Sequence, residues 1–165
     1  MALNIETTRH SVCQFPVQLC VEACSVCNQA EQQLWFEWAG DIRGERLAGQ
    51  AAAIKFIRAR FAQAPREYLF AIYLDSKLRI CDISSLGRGS IDSVQVSIAE
   101  IIQQGFAVGA ACFLLIHNHP SGDPTPSQTD LRITKRIHSV SHELDMPLVD
   151  HLVVATGGIR SVGIW

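Results

Sequence analysis

Apolar and polar positions along this chain change period several times, and each change marks an element. Tyr68 to Leu74 and Leu78 to Ser84 are strand-like runs on either side of Asp75-Ser76-Lys77, a pattern that predicts a β-hairpin. Before them, Leu47 to Gln63 is rich in Ala, Ile, Arg and Gln and stops ahead of Pro65, which predicts a helix ended by the proline. Gly87-Arg88-Gly89 reads as a flexible loop. Ser97 is placed to cap a second helix with Ile98, Ile101, Ile102 and Phe106 on one face, and the unbroken apolar run Ala111 to Ile116 then reads as a buried strand. Three prolines and a glycine between His119 and Pro126 impose a loop, after which Gln128 to Leu144 returns to helical spacing with Ile133, Ile137, Val140 and Leu144 inward. Leu148 to Ala155 and Ile159 to Trp165 flank Gly157-Gly158, a second hairpin signal. The order helix, hairpin, helix, strand, helix, hairpin predicts an α/β (α+β) domain of three layers, a mixed β-sheet with flanking helices. No internal repeat or low-complexity segment interrupts it.

Composition narrows the possibilities. At 165 residues and 48% hydrophobic content the chain suits one core, carried by residues 47–165, with 1–46 a Cys-rich segment of unassigned role. The formal charge of −2 lacks the basic excess that favours nucleic acid, and Arg132, Lys135 and Arg136 read as the solvated face of a helix. No apolar run reaches the length of a membrane span, and an N-terminus carrying Glu6 and His10 does not resemble a signal peptide, so a cytoplasmic location is the expectation. Of the six cysteines, Cys13, Cys20, Cys24 and Cys27 crowd the start. The spacing C-x3-C-x2-C of the last three suits an iron–sulfur cluster, and Cys13 would add a fourth thiolate for zinc; small apolar cysteines lining a buried element are the plainer alternative.

The candidate chemistry lies in His117-Asn118-His119-Pro120, followed by Ser127 and Asp130. Two imidazoles one residue apart project to the same side of an extended backbone, and a later carboxylate can close on the same point. Two nitrogens and an anionic oxygen are the donors of a catalytic zinc site whose fourth position stays open for water. Ser127-Gln128-Thr129-Asp130 is equally an N-capping box, with Asp130 near the positive end of the helix dipole, and one residue can serve both purposes. A zinc deaminase would need a glutamate two residues after its histidine and a downstream Pro-Cys-x-x-Cys, and a zincin would need H-E-x-x-H; neither is present.

The stretch His117-Asn118-His119-Pro120-Ser121-Gly122-Asp123-Pro124, with Pro126-Ser127 and Asp130, resembles the JAMM (MPN+) metalloprotease motif H-x-H-P-x6-S-x2-D in its RadC-like form. The resemblance runs from about Pro65 to Trp165 and includes the dipeptide Asp150-His151. It implies a fold related to cytidine deaminases and one Zn²⁺ held by His117, His119 and Asp130 with a water as fourth ligand. The family's upstream glutamate matches Glu67. On that footing Glu67 is the expected general base, with Glu100 the next candidate, and Ser127 is placed to donate a hydrogen bond to the developing oxyanion. Asp150 and His151 are read as a second-shell pair or, more plainly, as a polar start to a strand. The expected function is a zinc-dependent metallohydrolase, a metallopeptidase or isopeptidase with a peptide or protein substrate. The alternatives are a DNA-repair-associated protein or nuclease of RadC type, for which resemblance but not charge speaks, and a non-catalytic MPN binding module. The N-terminal helix-hairpin-helix module of longer RadC-like relatives has no Gly-rich counterpart here, and the oligomeric state is not legible.

Overall fold

A continuous ladder of backbone hydrogen bonds organises the second half of the chain. A computed structural model describes residues 43–44, 46–47, 57–58, 61–62, 66–88 and 96–163, all within one unit, Ile42–Trp165. The N-terminal cysteines and the residues around Trp35 fall outside the described residues, as does most of the helix expected over 47–63. Ile57, Arg58 and Phe61 are helical, but Leu47 is not: its N–H donates to the Leu78 carbonyl at 3.0 Å, and Arg46 bridges Arg79 in antiparallel fashion.

Among the described residues the sheet has five strands in the order β2-β1-β3-β4-β5: β1 (Tyr68–Leu74), β2 (Ile80–Arg88), β3 (Cys112–Asn118), β4 (Leu148–Ala155) and β5 (Gly158–Ser161). All neighbouring pairs are antiparallel except β3 and β4, which run parallel because the chain between them crosses over as a helix. Among the described residues, besides the helical Ile57, Arg58 and Phe61, two helices flank the sheet, α1 (Ile98–Ala107) between β2 and β3, and α2 (Gln128–Glu143) between β3 and β4. The sheet is therefore mixed and the domain α+β, as the pattern predicted. Among the described residues no helix is long and apolar enough to cross a membrane.

Side-chain alternation sorts the strands into two buried faces. On one face Leu69, Ala71, Tyr73, Phe113, Leu115 and Leu148 pack with Ile101 and Ile102 of α1 and Ile137 of α2. On the other, Phe70 meets Phe61 with ring centroids 5.0 Å apart. Because β1 and β3 are covered on both faces they read as unbroken apolar runs, and every residue of β1 is buried. Asp82, 6% exposed, fastens the edge of this core: its carboxylate accepts from Arg43 at 2.6 Å and from Gln104 at 2.8 Å.

Five further expectations are corrected, the first being the last strand, expected over Ile159 to Trp165 but spanning Gly158–Ser161. The first turn runs longer than Asp75-Ser76-Lys77, because Leu78 adopts φ 58° and delays β2 to Ile80. Gly87 and Arg88 are not a flexible loop but the end of β2, paired with Leu69 and Tyr68 through a bulge that absorbs the glycine. Phe106 is 57% exposed, and Gly105 takes the inward position of α1 against Met146 and Tyr73. In α2 the inward row is Asp130, Thr134, Ile137 and Ser141, while Val140 and Leu144 face outward. Asp130 and Thr134 are inward because they belong to the site, whereas Ser141 is buried with its Oγ donating to the His138 carbonyl at 3.2 Å.

Candidate metal centre

The C-terminal end of β3 delivers both histidines. His117 is the second-last residue of the strand and lies opposite Leu69 of β1, so its ring points to the helix-covered face. His119 follows two residues later on the same side, its N–H still held by the Val154 carbonyl at 2.8 Å. The rings meet edge-on with centroids 4.7 Å apart. Glu67, just before β1, has the same parity as Leu69 and comes to the same point: Glu67, His117 and His119 offer one ligand atom each, all within 4.8 Å of one another.

Asp130 approaches from the first turn of α2. Ser127 caps the helix, its Oγ accepting from the Asp130 N–H at 3.1 Å while the Asp130 Oδ2 accepts from the Ser127 N–H at 2.7 Å. The capping box turns the other face of the carboxylate to the histidines. Oδ1 lies 2.9 Å from His117 Nδ1, and Oδ2 lies 3.7 Å from His119 Nε2. The 2.9 Å approach is a hydrogen bond here, and the group whose ligand atoms converge closely enough for one ion is Glu67, His117 and His119, without Asp130. Burial pushes the Asp130 carboxyl up, but the hydrogen bonds from His117 and Ser127 outweigh it and hold the group well below the usual carboxylate range. A fully buried carboxylate held in this way against two imidazoles is chemistry suited to a cation.

The loop after His119 fixes that ring. Its Nδ1 lies 3.0 Å from the Asp123 carbonyl, which can only accept, so the proton sits on Nδ1 and Nε2 presents a bare lone pair. Asp123 is held in turn by a turn of its own, Oδ1 accepting from Thr125 N–H at 2.9 Å. Gly122 and Gly157 close the loop onto the β4–β5 turn: the Gly157 N–H donates to Gly122 O at 3.0 Å, and a Cβ on Gly157 would come within 2.5 Å of that oxygen. Only glycine admits this approach. Ser121 and Asp123 are thus loop formers, and Glu100 stands exposed in the first turn of α1, outside the metal-capable group.

Behind the histidines lies a residue that spacing alone did not single out. His151 of β4 is fully buried and its ring stacks on His117 with centroids 6.2 Å apart. Thr134 Oγ donates to the Asp130 carbonyl at 2.5 Å and so has no proton left for His151, whose Nδ1, 2.6 Å away, must be the donor. The chain His151, Thr134, Asp130 ties β4 to the first turn of α2. His117 Nε2 and His151 Nε2 are buried without a hydrogen-bond partner among the described residues, a state that costs free energy unless an ion or a water satisfies it. Asp150 turns away, its Oδ1 accepting from Ser161 Oγ at 2.6 Å and from the His151 N–H at 2.7 Å. The visible signals for this shell were the dipeptide Asp150-His151 and the helical spacing of Thr134 from Asp130.

Burial, and after it the neighbouring His117 and His119, push His151 down to about 3. The unfolded chain binds a proton here below its ordinary value of 6.5 while the folded chain refuses it. Its neutral form is therefore fully accommodated above that pH, and stability falls as pH drops from about 6.5 toward 3, with a slope approaching about 1.4 kcal/mol per unit. Urea midpoints of metal-free protein between pH 7 and 4 check this: His151→Asn flattens the acid slope by one proton's worth, and an unchanged slope refutes the assignment.

Comparison with known proteins agrees with the architecture. Residues 47–163 match the family model described as the RadC-like JAB domain. A UPF0758 protein of Vibrio cholerae is 34% identical over 118 residues, 72% of this chain and 75% of its own length. One from Chloroflexus aurantiacus is 33% identical over 125 residues, covering 69% of this chain but 55% of its own, and one from Acidithiobacillus ferrooxidans is 31% identical over 144 residues, 86% and 63%. The chain thus spans about three quarters of the first, little more than half of the second and nearly two thirds of the third. By both measures this chain belongs to the RadC-like JAB domain family.

Proposed function

We propose that the chain is a zinc-dependent metallohydrolase that cuts amide bonds, peptide or isopeptide. The observation that supports it is the convergence of Glu67, His117 and His119 within 4.8 Å, with the buried Asp130 against both imidazoles. His117, His119 and Asp130 would hold the ion, and Glu67 would stand beside it. The division follows from burial: Asp130 is 0% exposed with its carboxyl held well below the usual range, whereas Glu67 is only half-buried.

A bound zinc would lower the pKa of a coordinated water to about 7 and so supply a nucleophile at neutral pH. The chain's own groups do the rest. Glu67 takes the proton of the attacking water and passes it to the leaving amine, the transfer that amide cleavage needs. Ser127 Oγ accepts from the Asp130 N–H, and its hydroxyl would turn from the Asp130 carboxylate to donate to the developing oxyanion. His119 is held in its ligating tautomer by the Asp123 carbonyl.

The test is hydrolysis of a panel of unstructured peptides and lysine-linked isopeptides by zinc-loaded protein, with plasmid DNA in parallel. Cleavage of an amide substrate that stops with a chelator and returns with zinc is the expected result. Chelator-sensitive nicking of DNA with every amide substrate intact would replace this reading with a nuclease. Binding of peptides with no cleavage of either would leave a binding module.

A further inference from the structure

Asn118 stands between the two histidines yet turns to the opposite face of β3. The backbone ladder between β1 and β3 has its last rung at Leu69 opposite His117. Beyond it β3 keeps to β4 through the His119 N–H, and on the β1 side the carboxamide of Asn118 takes the place of the next peptide. Its Oδ1 accepts from the Tyr68 N–H at 2.8 Å, and its Nδ2 donates to the Arg66 carbonyl at 2.7 Å. Those two backbone groups flank Glu67 on either side. The clamp is dry, since Asn118 is 1% exposed.

We propose that Asn118 is a positioning residue for Glu67: by gripping the backbone on both sides of it, the amide fixes where the Glu67 carboxylate stands relative to the histidines. This deepens the metallohydrolase reading and rests on it. The residue type follows from the task. One short side chain must accept and donate at once, in a plane, with the spacing of a peptide group, and a carboxamide is the side-chain group that carries this pair. Aspartate offers no donor, and serine reaches only one of the two partners. Alternation then does the rest, because a residue that faces away from the site between two that face into it can hold the neighbouring strand without entering the chemistry. Glu67 precedes the first residue of β1 and makes no rung of its own with β3, so the clamp supplies the register that the ladder no longer imposes.

Cobalt(II) in place of zinc gives a visible spectrum that follows ionisation of solvent at the metal. The midpoint of that change is measured in the wild type, Glu67→Gln, Asn118→Ala, the milder Asn118→Ser, and Glu67→Gln combined with Asn118→Ala. Removing a carboxylate charge beside the metal lowers the midpoint by about one pH unit. The expected result is that Asn118→Ala and Asn118→Ser move the midpoint in the same direction as Glu67→Gln, with one cobalt still bound per chain, and that the double variant goes no further than Glu67→Gln alone. Additive shifts, or a midpoint that moves in Glu67→Gln but in neither Asn118 variant, overturn the inference while leaving the metal site intact. Loss of cobalt from both Asn118 variants also overturns it, because the side chain would then be holding the histidines. No cobalt in any form, wild type included, removes the metallohydrolase reading itself.

Discussion

Replacing His117 and His119 together with alanine is expected to take the protein from one zinc per chain to none. The two imidazoles are the nitrogen donors of the proposed set, and without them Asp130 and Glu67 present only two carboxylates, a poor match for an ion that prefers nitrogen and sulfur. Elemental analysis of purified wild type and variant, counting iron as well as zinc, reads the result directly. His117 is 2% exposed, so its loss leaves a cavity, and far-UV circular dichroism must show the variant folded before the count is taken. Asp130→Asn serves as the companion: it keeps the shape and removes the charge, and metal affinity is expected to fall steeply with it. Zinc that survives the double replacement would sink the assignment of this centre, and metal bound by other residues of the chain would take its place.

The second large effect is expected at Glu67. Glu67→Gln keeps the size of the side chain and a hydrogen-bonding terminus but cannot accept a proton, and general acid–base catalysis of this kind contributes about 10²- to 10⁴-fold. With any amide substrate the wild type cleaves, kcat is expected to fall by that range while KM changes little and the zinc count stays at one. Steady-state kinetics across pH 5 to 9 settle the point. A variant with full kcat would move the base elsewhere, and a variant that loses zinc would make Glu67 a ligand.

Much of this was legible in the sequence because a few residues each carry a strong local rule. The alternation around His117 and His119 put both rings on one side of β3, and Ser127 with Asp130 announced the helix start. β4 was bounded to the residue by Leu148 and Ala155, because proline and glycine punctuate it on both sides. Misjudged positions were those where tertiary context overrules the local pattern. Val140 and Leu144 looked inward by hydrophobicity, but α2 buries Asp130, Thr134 and Ser141 instead. No periodicity scheme rewards a polar stripe for facing a polar site. Gly87 looked like a break and is a bulge, since a strand's continuation past glycine depends on the partner strand, which local sequence does not encode. The tie from His151 through Thr134 to Asp130 joins β4 to α2 across a distance in sequence that spacing rules do not reach.

The brevity of β5 has a consequence of its own. This marginal strand spans only Gly158–Ser161, bears Arg160, and is followed directly by Val162, whose N–H returns to the His151 carbonyl at 2.8 Å. A long unpaired margin would be a template on which a second chain could polymerise strand by strand. Among the described residues the sheet ends there, and four residues with a guanidinium among them offer too few backbone groups and too much charge to favour fibrous self-association.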